Sequence, residues 1–503
     1  MSNRKEKDIE GIIYERELIR QLGLLDAVMI GVGASIGAGI FAVLGIAYGT
    51  AGPAVIFSFV FCGIASILTG YSYARLSQLF PESGASYTYV ARAFKQPTIG
   101  VVTGCTLWFA YLVSCSTYAV GFSNYLSYFV NSDQRTLVEL ISMVYGLDTS
   151  FVAQVIGEAF QLIDKRIIIV ALVAVFGLLN FASVSETGKT QTVIVMSKVA
   201  ILIFFIVVGL TYVREMLTPK IGIVDSTLGI QYTNNFSPVF SPTTFQNPVL
   251  PIMTVVTIIF IAFEGFDLIP TTGEELKNPK RNIGRAIYIT IITVNIVYLF
   301  TVVVIIGLIP WYQAGASEAP LAEAIKHTWI GQWGEILVGL GGILSTASAF
   351  NATLFGTSRL AYVMSREGIF PRQFIKLSRR SHVPYISLIV ASVMSLALAL
   401  TENLEFVASI ASSSFILIFF LVNVSNYKLR SKTKSRWIIP VLGALMTFIP
   451  ILFMSPASLV TLALWVGGIA LVYHVVSKFR EKQKPQGSIG DQPEILRNGR
   501  ESP

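Results

Sequence analysis

GVGASIGAGIF occupies residues 31–41, near the middle of an apolar stretch that runs from about residue 22 to residue 48. Four glycines lie close together there: Gly31, Gly33, Gly37 and Gly39. Glycine costs roughly 1 kcal/mol relative to alanine in a helix interior. The cluster therefore favours one of two arrangements. The helix breaks at membrane depth and offers backbone groups to a ligand, or small residues let two helices pack closely.

The composition of the 503-residue chain is that of a polytopic membrane protein, because 53% of it is hydrophobic and only 13% is charged. Soluble domains carry about 25% charged residues. Apolar runs long enough to span a bilayer recur along the whole length. We predict an all-α fold with twelve membrane spans, at 22–48, 53–79, 97–130, 163–184, 190–213, 249–271, 284–309, 332–364, 384–400, 404–427, 437–454 and 456–477.

The charge distribution predicts the orientation. Residues 1–21 are charged and have neither the apolar core nor the cleavage site of a signal peptide. Most of the 37 Lys and Arg lie on the side that this span order shares with the N-terminus, so both termini are expected in the cytoplasm. We interpret the basic loops at 277–285, 365–380 and 428–436 as topology signals. A specific role in binding lipid or nucleic acid is the less favoured alternative, and no nucleic-acid partner is predicted.

Cofactor chemistry is not indicated. The three cysteines all lie within predicted spans and the three histidines are scattered, so neither a disulfide nor a metal site is predicted. A Walker-type phosphate loop is absent, which argues against ATP-driven pumping. The sequence also lacks a Ser/His/Asp constellation, so an enzyme is disfavoured. A hydrophilic stretch at 131–164 is expected to include a short surface helix, and 478–503 is expected to be a disordered cytoplasmic tail.

The sixth predicted span contains TIIFIAFEGFDLIPTTG at 257–273, with Glu264, Gly265 and Asp267 in its middle. An acid at membrane depth costs roughly 2.5–3.5 kcal/mol on insertion scales, so both acids should face a cavity or a partner. A broken first span paired with a broken sixth span fits an inverted repeat. The expected organisation is a first repeat at 22–213, an extracellular loop at 214–248, a second repeat at 249–427 and two further helices at 428–477.

Four stretches together resemble the amino acid–polyamine–organocation transporters, the amino acid permeases. They lie at 22–41, 185–209, 260–287 and 345–371. The resemblance implies a five-plus-five inverted repeat with discontinuous helices one and six, plus two extra helices. It also implies alternating access around a site near the bilayer midplane.

The resemblance assigns the substrate's two charged groups to the two breaks. The carboxylate is expected at backbone N–H groups of Gly37, Ala38 and Gly39, since a helix N-terminus favours an anion. Ala38 stands where the family often has Ser or Thr, so binding there would depend on N–H groups alone. The ammonium is expected at carbonyls freed by unwinding: Ala34 or Ser35 in span one, and Ile261 and Glu264 in span six. Gly265 would permit the second break.

Neighbouring side chains are expected to line or close the site. Ile261 occupies a position that is often aromatic in the family and acts as a gate, and Phe260 or Phe263 is expected to substitute for it here. In the third-span stretch LWFAYLVSCSTY, at 107–118, Tyr111 and Cys115 are either pocket residues or plain packing residues.

Lys198 lies mid-span among apolar residues. A buried lysine must find a partner, lose its charge or reach water. The resemblance places it where sodium-coupled relatives hold a sodium ion, so that its titration would couple proton movement to opening. The alternative is a structural ion pair. Ser345 and Thr346 are expected to supply oxygens nearby.

Glu264 allows three interpretations. It reads a cationic substrate side chain, takes part in proton transfer, or pairs with Lys198 or another polar group. Asp267 is expected to be a gating or hydrogen-bonding residue. Glu274 and Glu275 are expected to cap or latch helices on the cytoplasmic side.

These expectations converge on a secondary amino acid transporter of the cell membrane that works by proton-coupled symport and favours cationic amino acids. An amino acid exchanger fits the same residues, and a non-transporting amino acid sensor of the same fold is a further alternative. The expected partners are the substrate, the proton and the lipid bilayer.

Overall fold

The computed structural model of the chain describes residues 22–81, 84–132, 146, 148, 150, 164–182, 187–212, 223–225, 230–232, 249–273, 275–378 and 383–482. Nearly all of these residues are helical, as predicted. The exception is a short antiparallel pair in the predicted extracellular loop, β1 (Ile223–Asp225) and β2 (Ile230–Tyr232). The N-terminal segment 1–21 and most of the surface stretch 131–164 lie outside the described residues.

The described residues of the first half form eight α-helices. They are α1 (Leu24–Ser35), α2 (Ala38–Phe41), α3 (Leu44–Ala51), α4 (Val55–Leu79), α5 (Ala85–Phe94), α6 (Pro97–Ser132), α7 (Lys165–Ala182) and α8 (Thr187–Leu210). A 3-10 turn at Gly52–Ala54 joins α3 to α4. The chain therefore stays helical almost continuously from the end of the first predicted span into the second.

The second half begins with α9 (Val249–Ile259) and 3-10 turns at Phe260–Phe263, Phe266–Leu268 and Pro270–Thr272. It continues with α10 (Pro279–Leu308), α11 (Trp311–Ala316), α12 (Pro320–Lys326), α13 (Gln332–Arg366), α14 (Tyr385–Ala399), α15 (Leu404–Lys428), α16 (Arg430–Thr433), α17 (Ile438–Phe448) and α18 (Pro456–Lys482). Two more 3-10 turns lie at Arg372–Ile375 and Ile449–Phe453. Because α18 continues to Lys482, the helix extends into the segment predicted to be a disordered tail. Lys and Glu are good helix formers, which accounts for the extension.

Eight helical stretches among the described residues are long and apolar enough to cross a bilayer. A ninth arises if Val249–Phe263 and Phe266–Thr272, which meet at an angle of 41°, are taken as one bent span. The stretches Tyr385–Ala399 and Ile438–Phe453 are apolar but shorter, and α7 occupies the fourth predicted span. The prediction of a multi-pass membrane protein is confirmed.

The first span is interrupted within the glycine cluster. Helix α1 ends at Ser35, and α2 begins at Ala38 after a bend at Ile36 and Gly37. The glycines also pack against other helices. A Cβ atom at Gly37 would lie 2.5 Å from the Cβ of Ala349, and one at Gly39 would lie 2.3 Å from the Cα of Ala262. Both sequence interpretations of the cluster, a break and close packing, therefore apply to the same residues.

The remaining helices support these interrupted segments. Helix α10 packs along α4, and α13 packs along α6. Buried polar groups join α4 to α15: the Ser72 hydroxyl donates to Asn423 Oδ1 over 2.7 Å, and the Asn423 amide donates to Thr69 over 2.9 Å. Such hydrogen bonds between membrane helices contribute about 0.6 kcal/mol each on average. They supplement apolar packing rather than replace it.

Candidate functional site

The break in the sixth predicted span lies directly against the break in the first. Glu264 is extended, with φ −71° and ψ 178°, and Gly265 has φ +103°. A Cβ atom at Gly265 would lie 2.5 Å from Ser35 Oγ and 2.6 Å from the Ser35 backbone nitrogen. Only glycine combines this positive φ with the close approach. Gly265 thus permits the two interrupted segments to meet.

Backbone carbonyls at the meeting point accept hydrogen bonds from hydroxyl groups. Ser35 Oγ donates to the Glu264 carbonyl over 2.5 Å. The Tyr298 hydroxyl, on α10, donates to the Ser35 carbonyl over 2.5 Å and to the Ala262 carbonyl over 3.1 Å. Carbonyl oxygens have two lone pairs, so the Glu264 carbonyl, which is predicted to meet an ammonium, retains capacity for a ligand. The Ser35 carbonyl accepts a second hydrogen bond, from the Gly37 N–H over 2.9 Å, and would have to release one to take a ligand.

Another hydroxyl inserts into the start of the sixth-span break. The backbone N–H of Ile261 donates to Ser412 Oγ over 2.8 Å, and Ser412 Oγ donates to the Ile258 carbonyl over 2.7 Å. Ser412, on α15, therefore fills a gap in the helical hydrogen-bond ladder. Such insertion is a recognised cause of helix interruption.

Lys198, on α8, is fully buried and reaches the first-span break. Its Nζ donates to the Gly33 carbonyl over 2.5 Å and to the Ile36 carbonyl over 2.6 Å. A third bond runs to Ser348 Oγ, on α13, over 2.9 Å. Among the described residues no carboxylate lies within ion-pair distance of this ammonium. The arrangement is a cation held by neutral oxygens at a helix break.

Ser345 and Thr346, the two residues of α13 that are predicted to supply oxygens near Lys198, have different hydrogen-bond partners. Ser345 Oγ donates to the Ile36 carbonyl over 2.8 Å, so it shares an acceptor with Lys198. The Thr346 hydroxyl instead donates within its own helix, to the Gly342 carbonyl over 2.8 Å. The two hydroxyls have different partners because one step along a helix turns a side chain by about 100°. That Thr346 supplies an oxygen near Lys198 stays a prediction.

The Glu264 carboxylate meets side-chain hydroxyls of α6. Its Oε1 accepts from the Tyr118 hydroxyl, and its Oε2 accepts from Ser114 Oγ over 3.1 Å. In this conformation the carboxylate has a polar partner, but that partner is not Lys198. Both partners belong to the third-span stretch from which only Tyr111 and Cys115 were predicted.

Asp267 is also satisfied by one backbone and one side-chain donor. Its Oδ1 accepts from the Gly265 N–H over 2.9 Å, and its Oδ2 accepts from the Tyr111 hydroxyl over 2.8 Å. The hydrogen-bonding role predicted for Asp267 is present in the geometry. Tyr111 reaches the broken sixth span. The Cys115 thiol instead faces α13, where its Sγ lies 4.0 Å from the Phe350 carbonyl oxygen.

The predicted aromatic gates pack against the surrounding helices. The Phe260 ring lies 5.7 Å from the Phe419 ring of α15, centroid to centroid. The Phe263 ring lies 5.4 Å from Tyr298 and 5.9 Å from Phe59. These contacts fix both rings beside the sixth-span break.

The site is closed to solvent. Its side chains are between 0% and 3% exposed: Ser35, Tyr111, Cys115, Tyr118, Lys198, Ile261, Glu264, Asp267 and Ser345.

On the side predicted to be cytoplasmic, Arg359 of α13 donates to Glu275 over 2.6 Å, a contact of the kind predicted for Glu275. Leu22 exchanges backbone hydrogen bonds with Glu275 and Lys277 at 3.0 and 2.9 Å, joining the start of α1 to the end of the sixth span. Glu274 lies outside the described residues.

Sequence reasoning missed several of these partners. Ser348 follows Ser345 by one helical turn, and Ser114 and Tyr118 follow Tyr111 at helical spacing, so a search along one helix face finds them. No comparable local pattern marks Tyr298 or Ser412. Each contributes a single hydroxyl from a span that is otherwise mostly apolar.

Comparison of the sequence with known proteins finds a family match. Residues 22–476 match the family model described as amino acid permease. The branched-chain amino acid permease BcaP of Bacillus subtilis is 24% identical over 492 residues, which cover 95% of this chain and 98% of that protein. The methylthioribose transporter of Bacillus subtilis is 27% identical over 474 residues, covering 92% and 94% of the two chains.

A plant relative covers the chain less completely. Cationic amino acid transporter 3, mitochondrial, of Arabidopsis thaliana is 28% identical over 414 residues. The match covers 82% of this chain and 62% of that protein. These three relatives are named as a permease or as transporters.

Proposed function

The chain belongs to the amino acid permease family, and on that premise we propose that it is a secondary active transporter of amino acids in the cell membrane, working by alternating access. We further propose twelve spans arranged as two inverted repeats, at 22–213 and 249–427, followed by two further helices, with both termini cytoplasmic. The observation that carries the proposal is the meeting of two interrupted helices at Ser35 and Gly265, next to a buried lysine.

The amino acid backbone would bind between the two breaks. Its carboxylate would meet N–H groups at the start of α2, at Ala38 and Gly39. The Gly37 N–H already donates to the Ser35 carbonyl over 2.9 Å, so its participation requires that bond to open. The substrate ammonium would meet the carbonyls of Ala34 or Ser35 and of Ile261 and Glu264.

Lys198 would couple transport to protons. A protonated lysine holds the Gly33 and Ile36 carbonyls against α8 and α13. Hydrogen bonds that involve a charged group contribute about 1.5–3 kcal/mol each, roughly twice a neutral one. Loss of the proton would weaken the bonds that hold the first-span break in this closed arrangement. Protonation and opening would then be linked, and no sodium ion would be required.

Glu264 would select cationic side chains. Its carboxylate lies at the break and has no cationic partner among the described residues. Tyr118 and Ser114 satisfy it in the closed arrangement, and a guanidinium or ammonium group of the substrate would replace them. The resemblance to cationic amino acid transporters supports this preference.

Uptake into proteoliposomes tests the proposal. The full-length protein is reconstituted with an inward proton gradient and no sodium, and labelled arginine and labelled leucine are supplied in parallel. We expect arginine to accumulate more than leucine, and accumulation to collapse with a protonophore. Uptake of label only into vesicles that are preloaded with unlabelled amino acid would show an exchanger. Lys198 would then be a fixed structural cation.

A further inference from the structure

A cavity of about 470 Å³ lies where the last turns of α4 meet the first turns of α10. Four cationic side chains line it, from both helices: Arg75, Lys280, Arg281 and Arg285. Gln78 and Tyr288 add neutral polar groups. The floor is formed by two small residues, because a Cβ atom at Gly284 would lie only 3.3 Å from the Cβ of Ala74.

The positive charge of this cavity is not balanced by the described part of the chain. None of its four cations forms an ion pair with a described carboxylate. Glu275, close before α10 in the sequence, is engaged by Arg359 at 2.6 Å. Arg75 lies over the Tyr71 ring, 5.3 Å from its centroid, which is a contact with a neutral group. Like charges in one cavity repel each other, so an anion bound between them would be stabilised.

The cavity continues into the apolar surface of both helices. On α10, Arg281 and Arg285 are followed at helical spacing by Ile289, Ile292 and Ile296. On α4, Arg75 is preceded at the same spacing by Ile67, Ile64 and Val60. These six apolar residues are 41% to 53% exposed. Residues three and four apart share one helix face. On each helix the three apolar residues therefore form a stripe that begins next to the basic residues and runs towards the bilayer core.

We propose that this cavity binds the phosphate headgroup of an anionic phospholipid, whose acyl chains lie along the two stripes. Arginine guanidinium groups match phosphate oxygens in fork geometry. Basic pockets between membrane helices are suited to anionic lipid headgroups. A free phosphate ion would use the cations but not the stripes, whereas a phospholipid uses both. The inference goes beyond the proposed transport function and does not depend on it.

Native mass spectrometry of the full-length protein tests the proposal. Dioleoylphosphatidylglycerol, dioleoylphosphatidylcholine and inorganic phosphate are titrated separately, and the bound lipid or phosphate is counted. The test variant is Arg281→Gln with Arg285→Gln, and the matched control is Arg372→Gln with Lys376→Gln, which removes two exposed cations from the loop after α13. We expect the wild type and the control to prefer phosphatidylglycerol, and the test variant to bind it about tenfold more weakly.

Two results would overturn the proposal. Equal weakening by both double variants would show attraction to general surface charge. Binding of inorganic phosphate alone, with no additional binding of phosphatidylglycerol over phosphatidylcholine, would assign the cavity to a free anion. The four residues to be substituted are exposed, so the variants should fold; if the test variant does not elute as a single species, Arg281→Gln and Arg285→Gln are measured singly, each with part of the effect.

Discussion

Two buried charges lie beside the helix breaks, and they are satisfied in different ways. Lys198 is held mainly by backbone carbonyls, those of Gly33 and Ile36. Glu264 is held by side-chain hydroxyls, those of Ser114 and Tyr118. The positions of the carbonyls are set by the path of the broken helix, whereas hydroxyl groups reorient by rotation of a side chain.

The difference assigns the two groups different proposed roles. A change at Lys198 acts on the backbone of the break, so it should act on the conformational cycle. A change at Glu264 acts on groups that move without altering the backbone, so it should act on ligand choice. Among the described residues the two charges form no ion pair with each other, which leaves each available for its own task.

The largest effect is expected from Lys198→Ala, which removes both hydrogen bonds to the first-span break and the third bond to Ser348 on α13. Proton-driven accumulation of arginine should be abolished, because no titrating group would then link the proton to opening. Exchange in preloaded vesicles should persist, since the substrate groups remain. Labelled uptake with and without a proton gradient measures both.

Lys376→Ala is the matched control, since it removes an exposed lysine from the loop after α13. It should behave like the wild type in both assays. If Lys198→Ala still accumulates arginine under a proton gradient, the lysine does not couple transport to protons. The proposed difference in role between Lys198 and Glu264 would then be wrong.

Gly265→Ala tests the contact between the two breaks. Alanine at φ +103° costs about 1–3 kcal/mol for backbone conformation alone. The clash with Ser35 adds to this cost. Thermal unfolding in detergent should show a clearly lower midpoint. Gly468→Ala, in α18, is the control: a Cβ atom there meets nothing within 4 Å, and alanine should stabilise the helix by up to about 1 kcal/mol. Equal midpoints for the two variants would contradict the contact.

Glu264→Gln should act on selectivity alone. Glutamine keeps the size of the side chain but loses the charge. Its Oε1 can accept from one of the two hydroxyls, and its amide N–H2 can donate to the other after that hydroxyl rotates. Arginine uptake should weaken by about tenfold relative to leucine, the difference between a charged and a neutral hydrogen bond of roughly 1.4 kcal/mol. Competition between the two labelled amino acids measures the ratio.

Glu318→Gln provides the control, because that residue lies outside the site and pairs with Lys165 at 2.5 Å. It should leave the ratio unchanged. If Glu264→Gln weakens arginine and leucine equally, Glu264 does not contact the substrate side chain, and its bonds to Tyr118 and Ser114 are structural.

The sequence was most informative about local features. Hydropathy predicted a multi-pass membrane protein, and the glycines at 37 and 265 marked the two interruptions, because a missing Cβ leaves a signal at the residue itself. Lys198 stood out as a charge within an apolar run. Each of these inferences needs only the neighbours of a residue in the chain, and the family they suggested is confirmed.

Partners from other helices were much harder to predict. The Tyr118 hydroxyl meets a carboxylate 146 positions away, and Tyr298 meets a carbonyl 263 positions away. The register between two helices decides such contacts, and that register depends on packing along their whole length. Hydrophobic patterns define which face of a helix is buried, but they do not define which hydroxyl lies opposite which oxygen.

Ser348→Ala is expected to have the smallest effect, and it still distinguishes the proposed role of Lys198 from that of Glu264. It removes one of the three acceptors of Lys198 and leaves both backbone acceptors in place. Loss of one hydrogen bond to a charged group costs about 1.5 kcal/mol or somewhat more. Part of this loss should be recovered by adjustment of the Lys198 side chain, so proton-driven arginine uptake should fall only several-fold, with the arginine-to-leucine ratio unchanged.

Thr346→Val is the matched control, because it removes a neighbouring hydroxyl that bonds only within its own helix. A reduced rate in Ser348→Ala with a near-normal rate in Thr346→Val would show that coupling follows the oxygens around Lys198. A changed amino acid ratio in Ser348→Ala would show instead that the lysine region also takes part in substrate choice.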